Sequence, residues 1–271
     1  MKLTVLCDNH TVIDRYLLGE PALSIYIENG RDRILFDTGY SDVFIQNAMT
    51  LGIDLSHLSA IVISHGHNDH TGGLFHLLNR FDLSGTRLIA HPDIFQKRIY
   101  DGLDVGCPIS RAFCEEKGLI ITETRDPVKL SENLYYLGEI PRQTAFESRF
   151  PTGEIIGRGN RIPDYVMDDS ALAYLSEEGP FVITGCSHSG ICNILLAAVS
   201  LYDRRVKASG IIGGFHLLQE SDPLEETVRF LKDHTCGTLY PCHCVSLRAK
   251  CRLMQELPVR EIGTGEVIEV Q

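Results

Sequence analysis

The chain has 271 residues, of which 44% are hydrophobic and 23% are charged, the balance of an ordinary globular protein. Acidic residues outnumber basic residues by 36 to 25, and the net charge of −11 argues against a nucleic-acid-binding groove, which needs clustered lysine and arginine. The charge leaves room for a local basic pocket that binds a small anion. The sequence contains no long apolar run, so we expect no membrane span and no membrane partner.

The amino-terminal segment is short and soon polar, so we expect no signal peptide and a cytoplasmic protein. Nine cysteines, an odd number, favour reduced thiols over a set of disulfides. We interpret these cysteines as small buried apolar residues. Cys186, Cys242 and Cys244 lie near histidines, which leaves open a contact between one thiol and a metal.

Short apolar runs, several of them rich in β-branched residues, alternate with helical patterns along the chain. The predicted strands are residues 3–7, 23–28, 33–36, 60–63, 87–90, 118–122, 134–137, 172–175, 181–184, 210–212 and 238–240. The predicted helices are residues 42–51, 73–81, 92–101, 192–203, 223–234 and 246–257. Strands and helices mixed over the whole length predict a layered α/β fold, which we expect to form one domain over residues 1–271.

Residues 139–168, which we call the flap, differ from the rest of the chain. They contain three prolines and, in an acidic protein, four arginines: Arg142, Arg149, Arg158 and Arg161. Loops of this length are uncommon unless they are functional. We interpret the flap as a loop-rich, basic cover over a site, and a solvated excursion with no catalytic role is the alternative.

The most informative motif is HGHNDH at residues 65–70, which follows the apolar run 60–63 and precedes a glycine-led helix. Side chains two residues apart at the end of a strand point to the same side, so His65 and His67 can bind one ion. After the turn, Asp69 and His70 can face a second ion. Four imidazole or carboxylate groups within six residues would not stabilise a surface turn, so the motif predicts a metal site.

Other potential ligands also follow predicted strands, in segments that contain glycine or proline. They are Asp37, His188, His216 and His243. Open α/β folds place their sites at the carboxyl ends of strands, so we expect these side chains to converge on one metal cluster. Asp8 and Asn9, at the end of the first predicted strand, are weaker candidates for lining the pocket.

The segment SHGHNDHTGGL at residues 64–74, together with FDTG at 36–39 and with His188 and His243, resembles the metallo-β-lactamase superfamily. A narrower branch is similar as well, through GEIPR at 138–142, TGCSHSGICN at 184–193, GGFHL at 213–217 and PCHC at 241–244. This branch comprises the metal-dependent hydrolases of the β-lactamase superfamily II. It includes an archaeal synthase of methanopterin biosynthesis.

The resemblance implies a four-layer αββα sandwich of the metallo-β-lactamase type, with a metal site at one edge. The implied ligands form two sets: His65, His67 and His188 for one ion, and Asp69, His70 and His243 for the other. It also implies that Asp37 orients the metal-binding loop. Many members bridge the two ions with an aspartate at a later motif, where this chain offers His216. We therefore predict His216 as a site residue, either as a terminal ligand or as a hydrogen-bond partner of the substrate.

The implied activity is that of a metal-dependent hydrolase, which acts on a small anionic, phosphorylated substrate through a metal-activated water molecule. Asp69 is the predicted catalytic residue that orients this water or accepts its proton, and His216 assists. In the flap, Arg142 is the predicted ligand of the substrate anion, because a guanidinium binds phosphate or carboxylate in a bidentate geometry. Backbone N–H groups of residues 187–193 offer a second anion site at a helix start.

Several alternatives stay open. The expected cofactor is one or two divalent ions, zinc by default, although iron and manganese also suit these ligands. A transferase that joins a pterin pyrophosphate to an aminobenzene ribofuranosyl phosphate is the second enzyme class. A metal-dependent nuclease is disfavoured by the acidic balance, and a metal-free binding module is disfavoured by the complete ligand set. A homodimer is expected only because homodimers are the commonest oligomers of soluble proteins.

Overall fold

The computed structural model of the protein describes residues 1–157, 159–219 and 222–271. In chain order its strands are β1 Lys2–Cys7, β2 Ser24–Asn29, β3 Asp32–Phe36, β4 Ala60–Val62, β5 Arg87–Ala90, β6 Arg98–Tyr100, β7 Leu103–Asp104, β8 Ile120–Glu123, β9 Val128–Ser131, β10 Leu134–Tyr136, β11 Glu154–Ile156, β12 Arg161–Pro163, β13 Ala171–Leu175, β14 Pro180–Thr184, β15 Ala208–Gly213, β16 Thr235–Pro241 and β17 Val267–Glu269. Its helices are α1 Val43–Thr50, α2 Asn68–Thr71, α3 Gly73–Arg80, α4 Arg111–Glu116, α5 Ile191–Val199, α6 Asp222–His234 and α7 Leu247–Met254. Among the helices in these described ranges, none combines the length and the apolar character that crossing a bilayer requires.

Two large sheets form the centre of the molecule. The first has the strand order β17-β1-β2-β3-β4-β5-β8, and the second has the order β16-β15-β14-β13-β10-β9. Strands β3, β4, β5 and β8 run parallel in the first sheet, and β14, β15 and β16 run parallel in the second. Parallel neighbours need crossover connections, which contain α1, α3 and α4 in the first sheet and α5 and α6 in the second.

The alternation of side chains along each strand builds three buried layers. Ile25 and Ile27 of β2 pack between the two sheets, in the same cluster as Ile183 of β14. Tyr26, which lies between them in sequence, points to the opposite face and packs with Phe44 of α1. The outer face of the second sheet packs against α5, α6 and α7. The order helix, sheet, sheet, helix confirms the predicted αββα sandwich.

Every predicted strand and five of the six predicted helices are present, with ends that shift by a few residues. The predicted helix at 92–101 is wrong, because residues 92–95 form turns and β6 follows them. Pairing of β6 with β11 from a distant part of the chain overrides the local helical pattern there. The sequence did not predict α2, α4, β6, β7, β9, β11, β12 and β17, which are two to six residues long and too short to show a periodic pattern.

The flap contains more regular structure than its composition predicts. Strands β11 and β12 pair with each other, and β11 also pairs with β6, so that a small sheet of order β12-β11-β6-β7 forms. The prolines and glycines of the segment hid these short strands from the sequence pattern. Arg158, one of the four arginines of the flap, lies outside the described residues.

We expect Ile27→Ala to lower the free energy of unfolding by about 2–5 kcal/mol, because the side chain is fully buried between the sheets and alanine leaves a cavity there. Urea denaturation followed by circular dichroism measures the change. Ile120→Ala on β8 is the control, since Ile120 is 56% exposed and its loss should change stability by less than about 0.5 kcal/mol. Equal losses in the two variants would contradict this assignment of the core.

Candidate metal centre

The HGHNDH motif begins three residues after the end of β4, a short strand that is buried over its whole length. The chain continues through His65 and His67 and then turns into α2 at Asn68. The Nε2 atom of His65 lies 3.0 Å from the Nδ1 atom of His67. The two side chains thus point to the same side, as their spacing predicts.

His188 completes a first group of potential ligands. It follows β14 of the second sheet, and its ring centroid lies 4.8 Å from those of His65 and His67. One ring nitrogen from each of the three residues lies within 4.8 Å of the others. We call these residues the three-histidine cluster. The structure thus brings together the three residues that the resemblance assigns to one ion.

Asp69, His70, Cys186 and His243 form a second group, which we call the mixed cluster. The Sγ atom of Cys186 lies 3.2 Å from Nε2 of His70 and 3.1 Å from Nε2 of His243. The Oδ2 atom of Asp69 lies 3.5 Å and 3.3 Å from the same two nitrogens. The ring centroids of His65 and His70 are 4.3 Å apart, so the two clusters adjoin.

Cys186 is the site residue that the sequence interpretation undervalued. We interpreted the cysteines as apolar fillers, but the thiol of Cys186 stands among three other potential ligands. The signal that could have found it is its position, because it follows β14 just as His188 does. Burial of a small apolar residue explains the same position equally well, so the sequence alone did not decide between the two roles.

His216 lies beside the clusters and not within them. Its ring is tilted against that of His188, with centroids 4.4 Å apart, and it lines the cleft described below. Within the described part of the chain, it belongs to neither group of potential ligands. Burial lowers the pKa of His216, so its ring is neutral and offers one donor and one acceptor. This placement favours the predicted contact with substrate over the predicted terminal ligand.

A single buried carboxylate orients one histidine of each cluster. Asp37 follows β3, and its Oδ2 atom accepts hydrogen bonds from Nδ1 of His70 at 2.6 Å and from the hydroxyl of Ser64 at 2.7 Å. The same hydroxyl oxygen accepts a hydrogen bond from Nδ1 of His65 at 2.9 Å. Because both Nδ1 atoms carry the proton, the Nε2 lone pairs of His65 and His70 face the clusters. Asp37 thus has the orienting position that the resemblance implies.

The second sheet reaches this carboxylate only because glycine follows β14. A Cβ atom on Gly185 would lie 2.2 Å from the Ser64 hydroxyl oxygen, closer than atoms can approach, and 3.0 Å from Oδ2 of Asp37, which is a tight contact. Any larger residue would therefore push apart the two sheets that carry the ligands.

The end of the first strand orients His243. The backbone N–H of His243 donates to Oδ1 of Asp8 at 2.8 Å, and its Nδ1 atom lies 3.2 Å from Oδ1 of Asn9. With Nδ1 engaged in this way, Nε2 of His243 faces the mixed cluster. Asn9 also lines the cleft, as predicted, whereas Asp8 is fully buried beneath the backbone of His243 and is not among the described lining residues.

Burial and neighbouring charges set the protonation of the two clusters. Burial lowers the pKa of His67 to about 4 and lowers the pKa values of His65 and His188 well below the ordinary value. Neutral imidazole is the form that binds a metal. Burial opposes the ionisation of Asp69, but the neighbouring imidazoles of His70, His243 and His67 together outweigh it and hold the pKa of Asp69 below its ordinary value.

The donor atoms fit divalent cations. Nε2 of His67 and both ring nitrogens of His188 are buried and have no hydrogen-bond partner among the described residues, an arrangement that is costly unless something binds there. In the mixed cluster, Nε2 of His70 and Nε2 of His243 lie only 3.2 Å apart. Three imidazoles in one cluster, and imidazole with thiolate and carboxylate in the other, are ligand types that zinc accepts.

Residues of both clusters line an open cleft of about 630 Å³. Its walls carry large, partly exposed side chains, among them Tyr40, Tyr100, Leu103 and Leu218. Tyr100 and Leu103 belong to the β6–β7 hairpin, which is joined to the metal-binding loop by a 2.9 Å hydrogen bond from the Asn68 N–H. No lysine or arginine of the described residues lines the cleft.

The two predicted anion-binding groups lie elsewhere. The guanidinium of Arg142 donates to the backbone carbonyls of Tyr165 and Val166 within the flap, and Arg142 is absent from the cleft lining formed by the described residues. The structure therefore does not bring Arg142 to the clusters. The predicted anion site at the start of α5 is wrong, because the first N–H groups of this helix donate to the carboxylate of Glu147 at 2.8 and 3.0 Å.

Strand-end histidines at one edge of an αββα sandwich, gathered in two adjoining clusters, define the class of protein. Residues 18–243 match the family model of the metallo-β-lactamase superfamily. The chain belongs to this superfamily.

Individual relatives cover almost the whole chain. It is 29% identical to the 7,8-dihydropterin-6-methyl-4-(β-D-ribofuranosyl)-aminobenzene-5′-phosphate synthase of Methanocaldococcus jannaschii, over 99% of this chain and 96% of that protein. It is 31% identical to the uncharacterized protein MJ0448 of the same organism, over 93% of this chain and 94% of that protein. Among solved structures it is similar to Tm1679, a metal-dependent hydrolase of the β-lactamase superfamily, with a TM-score of 0.84, 32% identity and coverage of 100% and 99%.

We expect Asp37→Asn to weaken metal binding about 10–100-fold, because an amide offers one acceptor oxygen in place of two and cannot accept the His70 imidazole, the Ser64 hydroxyl and the Ser64 backbone N–H together. Competition between the metal-free protein and a chelating dye measures the affinity. Asp54→Asn is the matched control, since Asp54 contacts His57 at 3.0 Å in an exposed pair. A comparable loss of affinity in the control would argue against a specific orienting role for Asp37.

We expect Cys186→Ser to abolish the thiolate-to-metal charge-transfer absorption of the cobalt-substituted protein, because Cys186 is the thiol of the mixed cluster. The ultraviolet spectrum during cobalt titration measures this band. Cys192→Ser, which alters a similarly buried thiol of the α5 core, should leave the band intact. Persistence of the band in Cys186→Ser would remove Cys186 from the set of ligands.

Proposed function

We propose that the protein is a metal-dependent hydrolase that acts on a small anionic, phosphorylated substrate and holds two zinc ions. The observation that carries this proposal is the pair of adjoining clusters that line one cleft, each with ligand atoms within 4.8 Å of one another. His65, His67 and His188 would hold one ion. Asp69, His70, Cys186 and His243 would hold the other, and His216 stays outside both.

Divalent ions held in this way supply acidity to a nearby water molecule and polarise a phosphoryl or carbonyl oxygen. Side chains of the protein position the water molecule and the substrate. The Asp69 carboxylate is ionised at neutral pH and partly exposed to the cleft, so it can orient a water molecule or accept its proton. The neutral ring of His216 can donate a hydrogen bond to a substrate oxygen from the cleft wall.

The lining of the cleft supports a small substrate whose negative charge is bound by the metal ions. None of the described lining residues is a lysine or an arginine, so no side-chain cation of that lining competes for the anion. A volume of about 630 Å³ suits a metabolite-sized molecule. A polynucleotide would need a basic track along its backbone, which this acidic chain does not provide at the cleft.

A transferase is the second candidate, and the 29% identity to the archaeal synthase over nearly the whole chain favours it. In that reaction the two substrates would be a pterin pyrophosphate and an aminobenzene ribofuranosyl phosphate. The aminobenzene compound, in place of water, would then form the new bond to the pterin group, and pyrophosphate would leave. We further propose that the protein acts in the cytoplasm, as a homodimer, with its cysteines reduced.

We expect His67→Ala to abolish metal binding at the three-histidine cluster and turnover together, without unfolding the sandwich, because His67 offers a ligand atom and belongs to none of the apolar core clusters. Elemental analysis and a panel of phosphate esters, lactones and thioesters measure the two effects. His57→Ala is the control, since His57 is an exposed histidine on the surface. Full activity of His67→Ala would reject the ligand assignment.

The choice between hydrolase and transferase is tested with the zinc-loaded protein. We expect release of phosphate or an alcohol from at least one phosphorylated ester, with loss of activity after chelation and recovery after zinc is added back. Incubation with the pterin pyrophosphate and the aminobenzene ribofuranosyl phosphate, followed by mass spectrometry, tests for the condensed product. Condensation without hydrolysis of any ester would replace the first proposal with the second.

A further inference from the structure

Two consecutive buried carboxylates lie between the loops that carry the three-histidine cluster. Asp168 and Asp169, which we call the aspartate pair, come at the end of the flap, just before β13. Both side chains are fully buried. Neither belongs to the groups of potential ligands found among the described residues, so their burial has no direct explanation in metal binding.

Asp168 holds the loop of His65 and His67. Its Oδ2 atom accepts the backbone N–H of Gly66, the residue between these two histidines, at 2.8 Å. Its Oδ1 atom accepts the guanidinium of Arg98 at 2.7 Å, and Arg98 is itself 1% exposed. On the other side of the loop, a Cβ atom on Gly66 would lie only 2.2 Å from the carbonyl oxygen of Ile94, so the loop is held from both sides.

Asp169 holds the loop of His188. Its Oδ2 atom accepts the backbone N–H of Ser189, the next residue after this histidine, at 2.9 Å. The same oxygen accepts the Ser189 hydroxyl at 2.5 Å. The following residue, Ser170, donates its backbone N–H to the carbonyl of Ser64 at 2.9 Å, which joins the pair again to the first loop.

These hydrogen bonds constrain the distance between His188 and the pair His65 and His67. The packing of the two sheets alone does not fix this distance. His65 and His67 follow β4 of the first sheet, whereas His188 follows β14 of the second, and the two strands belong to different hydrogen-bonded ladders. Apolar packing between sheets tolerates small sliding movements, while metal ligands must stay within a few tenths of an ångström of the required distance. Hydrogen bonds from backbone N–H groups to buried carboxylates are strong and directional.

We propose that Asp168 and Asp169 are positioning residues that set the separation between His188 and the pair His65 and His67, and so the affinity of the three-histidine cluster for its ion. This inference rests on the proposed metal-binding function. The hydrogen bonds above do not reach a side chain of the mixed cluster, so we expect the larger effect at the three-histidine cluster.

The test uses the full chain loaded with cobalt, in wild type and in the variants Asp168→Asn and Asp169→Asn. We expect each variant to lose about 10–100-fold in affinity for one of two bound ions, while the charge-transfer band of Cys186 in the mixed cluster is kept. Asp164→Asn is the matched control, because Asp164 is also fully buried and also contacts Arg98, at 3.3 Å, but touches neither histidine loop. Isothermal titration and the cobalt spectrum give the two affinities separately.

Ser189→Ala is a milder variant that keeps the backbone N–H and removes only the hydroxyl donor, so it remains informative if an aspartate variant does not fold. We expect a smaller loss of affinity at the same cluster. A merely structural role would lower the melting temperature of the aspartate variants and of the control alike and leave both metal affinities unchanged, and that result would overturn the inference. If the wild type binds two ions and the aspartate variants bind both ions equally well, this inference is rejected and the proposed function stands. If the wild type binds no ion, both are rejected.

Discussion

The site depends on one carboxylate that is buried where the two sheets meet. Asp37 accepts the backbone N–H of Ser64, the Ser64 hydroxyl and the imidazole of His70, so a charge that would be unfavourable in an apolar interior is fully hydrogen-bonded. Through the serine hydroxyl it also fixes the proton of His65. Asp37 therefore orients one histidine in each cluster, so that Nε2 of His65 faces one cluster and Nε2 of His70 faces the other.

This arrangement makes the packing of the sandwich a condition of the metal site. Each cluster takes ligands from both sheets, since His65 and His70 belong to the motif after β4, whereas Cys186 and His188 follow β14. Gly185 lets the second sheet approach Asp37, and the aspartate pair joins the loops from the other side. Apolar burial between the sheets and the coordination of an ion therefore support the same geometry, so that a bound ion would also stabilise the fold.

The two clusters differ in the charge they would place around an ion. The three-histidine cluster is neutral, so an ion there would keep its full positive charge towards the cleft. The mixed cluster adds a carboxylate and a thiol, which becomes a thiolate when it binds a metal. The described lining of the cleft has no lysine or arginine. An anion that enters the cleft would therefore be attracted to the ions at the two clusters, where the reaction is proposed to occur.

The sequence by itself determined what depends on local order. The period of two at His65 and His67, the turn into a helix after the motif, and the potential ligands that follow apolar strands all depend on neighbours in the chain, so a layered α/β fold with a histidine site could be predicted. The αββα order of layers and the two sets of ligands came from the resemblance of the motifs to the superfamily. Tertiary structure decided what depends on distant partners. The helix predicted at 92–101 gave way to a strand paired with the flap, Arg142 turned to carbonyl groups of the flap itself, and Cys186, rather than His216, entered the mixed cluster. Only the packed sheets bring these groups within hydrogen-bonding distance, and no periodicity in a single segment records a contact between residues far apart in the chain.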